Sequence, residues 1–194
     1  MTFEVERLPN GRDRIRPQSA MGVFGAPVAL GFATAVLVVF GGCATAAFAD
    51  EQALPESIRA PGETVVFDVH AEGAQVYECV ADSSGRLAWL FREPIATLIR
   101  DGKTVGRHYA GPKWEIADGS SVVGKVESKV DGATPSDIPW LKLASASHSG
   151  QGVLAQATTI QRVNTHGGVL SGDCDKAGTF RSVPYSAEYL FSRK

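Results

Sequence analysis

Two histidines and an arginine, His108, Arg162 and His166, are the side chains best suited to chemistry in this chain. A histidine titrates near neutrality, and an arginine grips an anion with a planar fork of donors. If the strands carrying them are neighbours, the three line one pocket with Tyr109, Trp114 and Tyr185. Those rings would supply apolar area with polar tips. Glu115 and Asp118 follow closely in sequence, so a base at His108 or His166 with one of these carboxylates is the catalytic arrangement to test. Each residue also has a plainer use: a hydrogen bond to a loop carbonyl for the histidines and the arginine, core anchoring for Trp114, a solvated turn for Glu115 and Asp118. His70 and His148 sit beside different turns, no histidine pair has the spacing of a zinc protease, and there is no C-x-x-C, so no metal site is expected.

Three other strings lose their chemistry when context is added. Gly150-Gln151-Gly152-Val153-Leu154-Ala155 matches a dinucleotide-binding fingerprint, but the β-branched Thr158, Thr159 and Ile160 that follow are poor material for the required helix. Gly102-Lys103-Thr104 resembles the end of a phosphate-binding loop, yet Thr97 stands where the upstream glycine belongs. Ala81-Asp82-Ser83-Ser84-Gly85 resembles a nucleophile elbow but reads as a hairpin turn.

The elements that must position these residues read as strands. Val65, Phe67 and Val69 alternate with polar neighbours in Glu63 to His70, and Ala71-Glu72-Gly73 predicts a turn into a second strand, Gln75 to Val80. Asp82 to Gly85 and Asp101-Gly102 predict further turns around Arg86 to Phe91, Ala96 to Ile99 and Lys103 to Tyr109. Trp114 to Ala117, Val122 to Val130, Ile138 to Ala146, Val153 to Val163 and Tyr185 to Phe191 continue the pattern, and no window carries an apolar helical stripe beyond two turns. The reading is an all-β domain of about eight to ten short strands, an antiparallel sandwich or a closed barrel. Periodicity leaves both open.

The first 49 residues read as a leader. Arg7, Arg12, Arg14 and Arg16 precede an uncharged span, Met21 to Phe40, and Ala47-Phe48-Ala49 offers a small-residue exit, so cleavage before Asp50 is expected. The span also has the length of a membrane anchor, and Phe40-Gly41-Gly42-Cys43 resembles a lipoprotein box. Residues 50–62, with Pro55 and Pro61, read as an extended arm, and 63–194 as one β domain. Beyond the leader fifteen Lys and Arg face eighteen Asp and Glu with no run of either sign, which argues against nucleic acid and leaves membrane contact to the N-terminal segment. Cys79 and Cys174 remain as an even pair, and export makes a disulfide the default.

His108-Tyr109-Ala110-Gly111-Pro112-Lys113-Trp114-Glu115, then Asp118-Gly119-Ser120 and Ile138-Pro139-Trp140-Leu141, resemble the signature of a family of uncharacterised exported proteins, DUF3455. Ile160 to Gly168, Cys174 and Val183 to Tyr189 extend the resemblance over nearly the whole domain. The family implies no activity. A dehydrogenase is disfavoured, since the chain offers neither a cofactor crossover nor a cytoplasmic cofactor supply, and no cofactor is expected. The expectation is an exported β domain, secreted, periplasmic or held at the membrane, that binds a small molecule, a glycan or another envelope component without catalysis. A secreted hydrolase with a His and carboxylate pair, and an envelope structural or assembly protein, are the alternatives.

Overall fold

The computed structural model describes residues 3–7, 13–17 and 53–194. The chain divides into two compact units, Met1–Ala44 and Thr45–Lys194. Of the first, the described part is an antiparallel hairpin, β1 (Phe3–Arg7) with β2 (Asp13–Pro17). The apolar run at 21–40, the exit at Ala47 to Ala49, Cys43 and the expected N-terminal helix lie outside the described residues.

The second unit is an eight-stranded closed antiparallel barrel. Its strands are β3 (Thr64–Ala81), β4 (Leu87–Arg100), β5 (Lys103–Tyr109), β6 (Lys113–Ile116), β7 (Ser121–Val130), β8 (Trp140–Ser149), β9 (Thr159–Gly167) and β10 (Phe180–Arg193). Each strand pairs with its successor, and β10 returns to pair with β3, so the sheet has no free edge. Of the two all-β architectures compatible with the sequence, the closed barrel is the one formed.

Period-two alternation sorts the residues into inner and outer faces. Phe67, Val69 and Ala71 on β3 and Ala187, Tyr189 and Phe191 on β10 enter one core with Leu98, Trp114, Leu143 and Ile160. The outer wall carries charge pairs such as Arg107 with Glu115 and Lys142 with Glu127. An apolar interior inside a charged wall is the reverse of a transmembrane barrel. Among the described residues no helix is long and apolar enough to cross a membrane.

Several sequence-based boundaries move. Ala71-Glu72-Gly73 is no turn: β3 runs unbroken for 18 residues, with Gly73 paired to Ala96. A Cβ at Gly73 would lie 2.0 Å from the Ile95 carbonyl oxygen, so the glycine is there for close strand approach. Arg86 to Phe91 and Ala96 to Ile99 likewise merge into β4. Val153–Gln156 is a 3-10 turn, and β9 begins only at Thr159. The expected extended arm contains a 3-10 turn at Glu56–Ile58 and is packed down: Leu54 and Ile58 are buried with Val163 against Val130 and Trp140. Gln161 Nε2 donates to the Ile58 carbonyl, which fixes that segment to β9.

The two ends of the barrel differ. One is closed by the 3-10 turn, whose Leu154 enters the core. Asp118 Oδ2 accepts from Val153 N at 2.8 Å, and Ser120 Oγ accepts from Leu154 N, holding this plug on the β6–β7 turn. At the other end β3 and β4 overrun the barrel, and the β9–β10 connection folds back onto them. Cys79 and Cys174 form the expected disulfide, with Cα atoms 5.9 Å apart. Backbone bonds from Cys79 N to Thr179 O and from Trp89 N to Gly172 O tie the same connection to the overhanging hairpin.

Candidate functional site

The open end holds a recess of about 470 Å³. Its upper wall is apolar: Tyr77 and Phe91 from the overhanging hairpin, Val126 from β7, Ile138 and Leu141 around the start of β8, and Val169 from the pinned connection. Phe91, Val126 and Val169 are 47%, 50% and 37% exposed, so the rim leaves large apolar side chains in water. Tyr77 Oη donates to the Gly168 carbonyl at 2.7 Å, which fixes the backbone next to Val169.

Three polar side chains interrupt this lining at depth: Gln75, His108 and Arg162. Gln75 is 2% exposed, and its Nε2 has no hydrogen-bond partner among the described residues. Such a buried donor is costly to leave unsatisfied, at about 1 to 3 kcal/mol. Arg162 donates from Nε and Nη2 to the Pro139 carbonyl at 3.1 and 2.8 Å and lies against the Tyr189 hydroxyl. Among the described residues no carboxylate pairs with it.

His108 is 2% exposed, stacks on Trp114 at 4.4 Å and donates Nδ1–H to the Lys113 carbonyl. Burial, opposed by that hydrogen bond and assisted by the charge on Arg162, depresses its pKa to about 3. It is therefore a neutral imidazole at physiological pH. Trp114 lies behind it, wholly buried, in room provided by Gly124, where a Cβ would stand 3.0 Å from the indole. Tyr185 and Tyr189 complete this inner layer. Their hydroxyls are buried near each other and Arg162 without well-formed hydrogen bonds, and desolvation raises both pKa values well above the ordinary phenol.

The sequence-predicted residues thus divide. His108 and Arg162 meet at one recess, with Trp114 and Tyr185 as its inner support. Tyr109 and Glu115 do not join them, because alternation puts each on the outer face: Tyr109 Oη donates to Glu115 Oε2 at 2.8 Å, and Arg107 donates to Oε1. Those two hydrogen bonds, ahead of the nearby positive charges, hold the Glu115 carboxyl below its usual range. The barrel wall separates His108 from Glu115.

Asp118 is at the closed end, where desolvation would raise its pKa but the Ser120 hydroxyl and the Val153 and Ser120 N–H groups that donate to it together lower it. His166 lies on the outer wall in a separate hollow with His70, Asn164 and Glu188. It shares an even number with Arg162, so unbroken alternation would place both inside. A register irregularity opposite Ser186 to Glu188, with Asn164 at φ 49°, adds one residue to β9 and inverts the phase beyond it. No two of His108, Glu115, Asp118 and His166 share a hydrogen bond. Gln75 escaped the sequence reading, although it continues the inward series Phe67, Val69, Ala71 and Gly73.

The eight-stranded β-barrel is plugged at one end and open at the other onto an apolar recess with a few polar groups at its base, a concavity of the kind in which small-molecule sites are found. The family model described as "Protein of unknown function (DUF3455)" matches residues 60–102 and 99–193, and the chain belongs to that family. No curated protein and no solved structure matches it. The disulfide suggests an extracytoplasmic location.

Proposed function

We propose that this protein is an exported, non-catalytic carrier or receptor that holds one small, largely apolar molecule in the open end of its barrel. The observation that carries the reading is the recess itself: about 470 Å³, walled by exposed apolar side chains and ending on Gln75, His108 and Arg162. That volume falls inside the range of about 300–1,000 Å³ occupied by small-molecule sites. A glycan would call for many hydroxyl-binding partners, which this lining lacks. The hydrolase reading needs a basic imidazole beside a carboxylate, whereas a pKa near 3 makes His108 a weak base, and Glu115 and Asp118 are engaged away from both His108 and His166. Secretion or periplasmic residence follows from the leader, with removal before Asp50 as the specific form proposed. Mass determination of the exported N-terminus tests it, and a start at Met1 would refute cleavage.

Titration with the neutral solvatochromic dye N-phenyl-1-naphthylamine tests the carrier reading. Wild type should brighten the dye at one saturable site, and Val126→Trp, which fills the recess from its rim, should weaken binding at least about tenfold, the worth of roughly 1.4 kcal/mol. His166→Ala should leave the titration unchanged. Equal binding by wild type and Val126→Trp would overturn the assignment of the recess.

A further inference from the structure

We propose that the ligand is an organic monoanion, a carboxylate on an apolar body, bound head inward with its charge on Arg162. The inference rests on the carrier reading and specifies its ligand class. Two independent features at the base of the recess leave donor capacity for the acceptor of a ligand. Arg162 spends two donors on the Pro139 carbonyl, lies against the Tyr189 hydroxyl, and is left without an ion-pair partner among the described residues. Gln75 Nε2, 2% exposed, has no acceptor among the described residues.

The rest of the lining favours one sign of charge. No aspartate or glutamate lines the recess, and the second cation on it, Arg92, is already paired with Glu78 and Glu93. His108 adds no charge, since its imidazole is neutral and its Nδ1–H is taken by Lys113. A guanidinium against apolar surface attracts an anion more strongly than it would in water, because the surroundings screen less. Bidentate geometry further favours a carboxylate over a point acceptor. An apolar body then lies against Phe91, Leu141, Val126 and Val169 and covers rim area that is now wet. A dianion or a cation would bring a charge that nothing in the lining matches.

The experiment compares decanoate, decanol and decylamine on the full chain by competition against the neutral dye. Decanoate should bind at least about tenfold more tightly than decanol, as expected for a hydrogen bond to a charged group, and decylamine should bind weakest. From octanoate to decanoate each added methylene should tighten binding about fourfold. Arg162→Met should bring decanoate down to the affinity of decanol while leaving decanol within about twofold of wild type. A purely structural role for Arg162 would weaken both ligands together. If Arg162→Met does not fold, the headgroup series on wild type decides alone, with Gln75→Leu as a second variant expected to weaken decanoate selectively.

Decanol or decylamine binding as tightly as decanoate overturns the anion while leaving the carrier reading standing. Failure of all three, together with failure of the neutral dye, overturns both. Binding through the apolar segment at 21–40 would ignore headgroup and Arg162 alike, and that result also counts against the proposal.

Discussion

Acidification should destabilise this barrel through His108, beginning above the range in which its carboxylates titrate. In the folded chain the imidazole is buried against Trp114 and Tyr189, with a pKa near 3, against 6.5 when unfolded. Between those values the unfolded chain binds a proton that the folded chain refuses, so stability rises with pH through the window and is lost as pH falls through it. The full linkage amounts to about 4 to 5 kcal/mol, and integration from pH 6 to pH 4 gives about 2.5 kcal/mol, at about 1.4 kcal/mol per pH unit. His70 has the opposite sign. Burial lowers its pKa, but hydrogen bonds and charge from Glu72 and Glu188 outweigh this and raise it, so its contribution is full below 6.5 and lost as pH rises through the folded value. It is silent in the acid window. Asp118 and Asp137, both lowered by hydrogen bonds, lose stability in the same direction as His108 but near and below the ordinary carboxylate range.

Urea unfolding of wild type and His108→Phe at several pH values separates these contributions. The phenylalanine keeps the stack on Trp114 and forfeits the bond to Lys113. The stability difference between the two proteins should shift by about 2.5 kcal/mol in favour of the variant between pH 6 and pH 4. Parallel loss of stability in the two proteins would refute the reasoning, since it would mean that the histidine accepts a proton without penalty.

Reduction of Cys79–Cys174, or replacement of both by alanine, frees a connection whose closure spans 95 residues and should cost up to about 4.7 kcal/mol in the chain-entropy model; denaturant midpoints check this. The same change should speed amide exchange at Cys79, Trp89 and Gly178, whose N–H groups donate across the clip. Gly124→Ala presses a methyl to 3.0 Å from both Trp114 and Leu143 and should destabilise by about 1 to 3 kcal/mol, whereas Gly73→Ala, at 2.0 Å from a backbone oxygen, should be worse. Thermal melting ranks the two, and a harmless Gly73→Ala would contradict the close approach of β3 to β4.

The strand content was legible because the alternation of Val65, Phe67 and Val69 has one physical meaning, a wall with a wet and a dry face. The cysteine pair was legible from the expected compartment. Closure was not, since it depends on Phe180–Arg193 pairing with Thr64–Glu78 across more than a hundred residues of intervening chain. Gly73 misled because a glycine needed for close approach and one needed for a turn look alike in sequence. Reading a turn there broke the series that would have shown Gln75 pointing inward. The site was legible in part: His108 and Arg162 converge, and alternation already opposed His108 to Tyr109 and Trp114 to Glu115. His166 was beyond reach, because the irregularity at Asn164 that turns it outward has no glycine or proline to announce it.

Whether the open end of the barrel is the working site is tested most directly by NMR of the full chain at saturation with N-phenyl-1-naphthylamine. The account predicts shifts concentrated on the methyl groups of Val126, Leu141 and Val169 and on the side-chain amide of Gln75. Shifts confined to the outer hollow around His166 and Trp140, or absent from the recess at saturation, would contradict it.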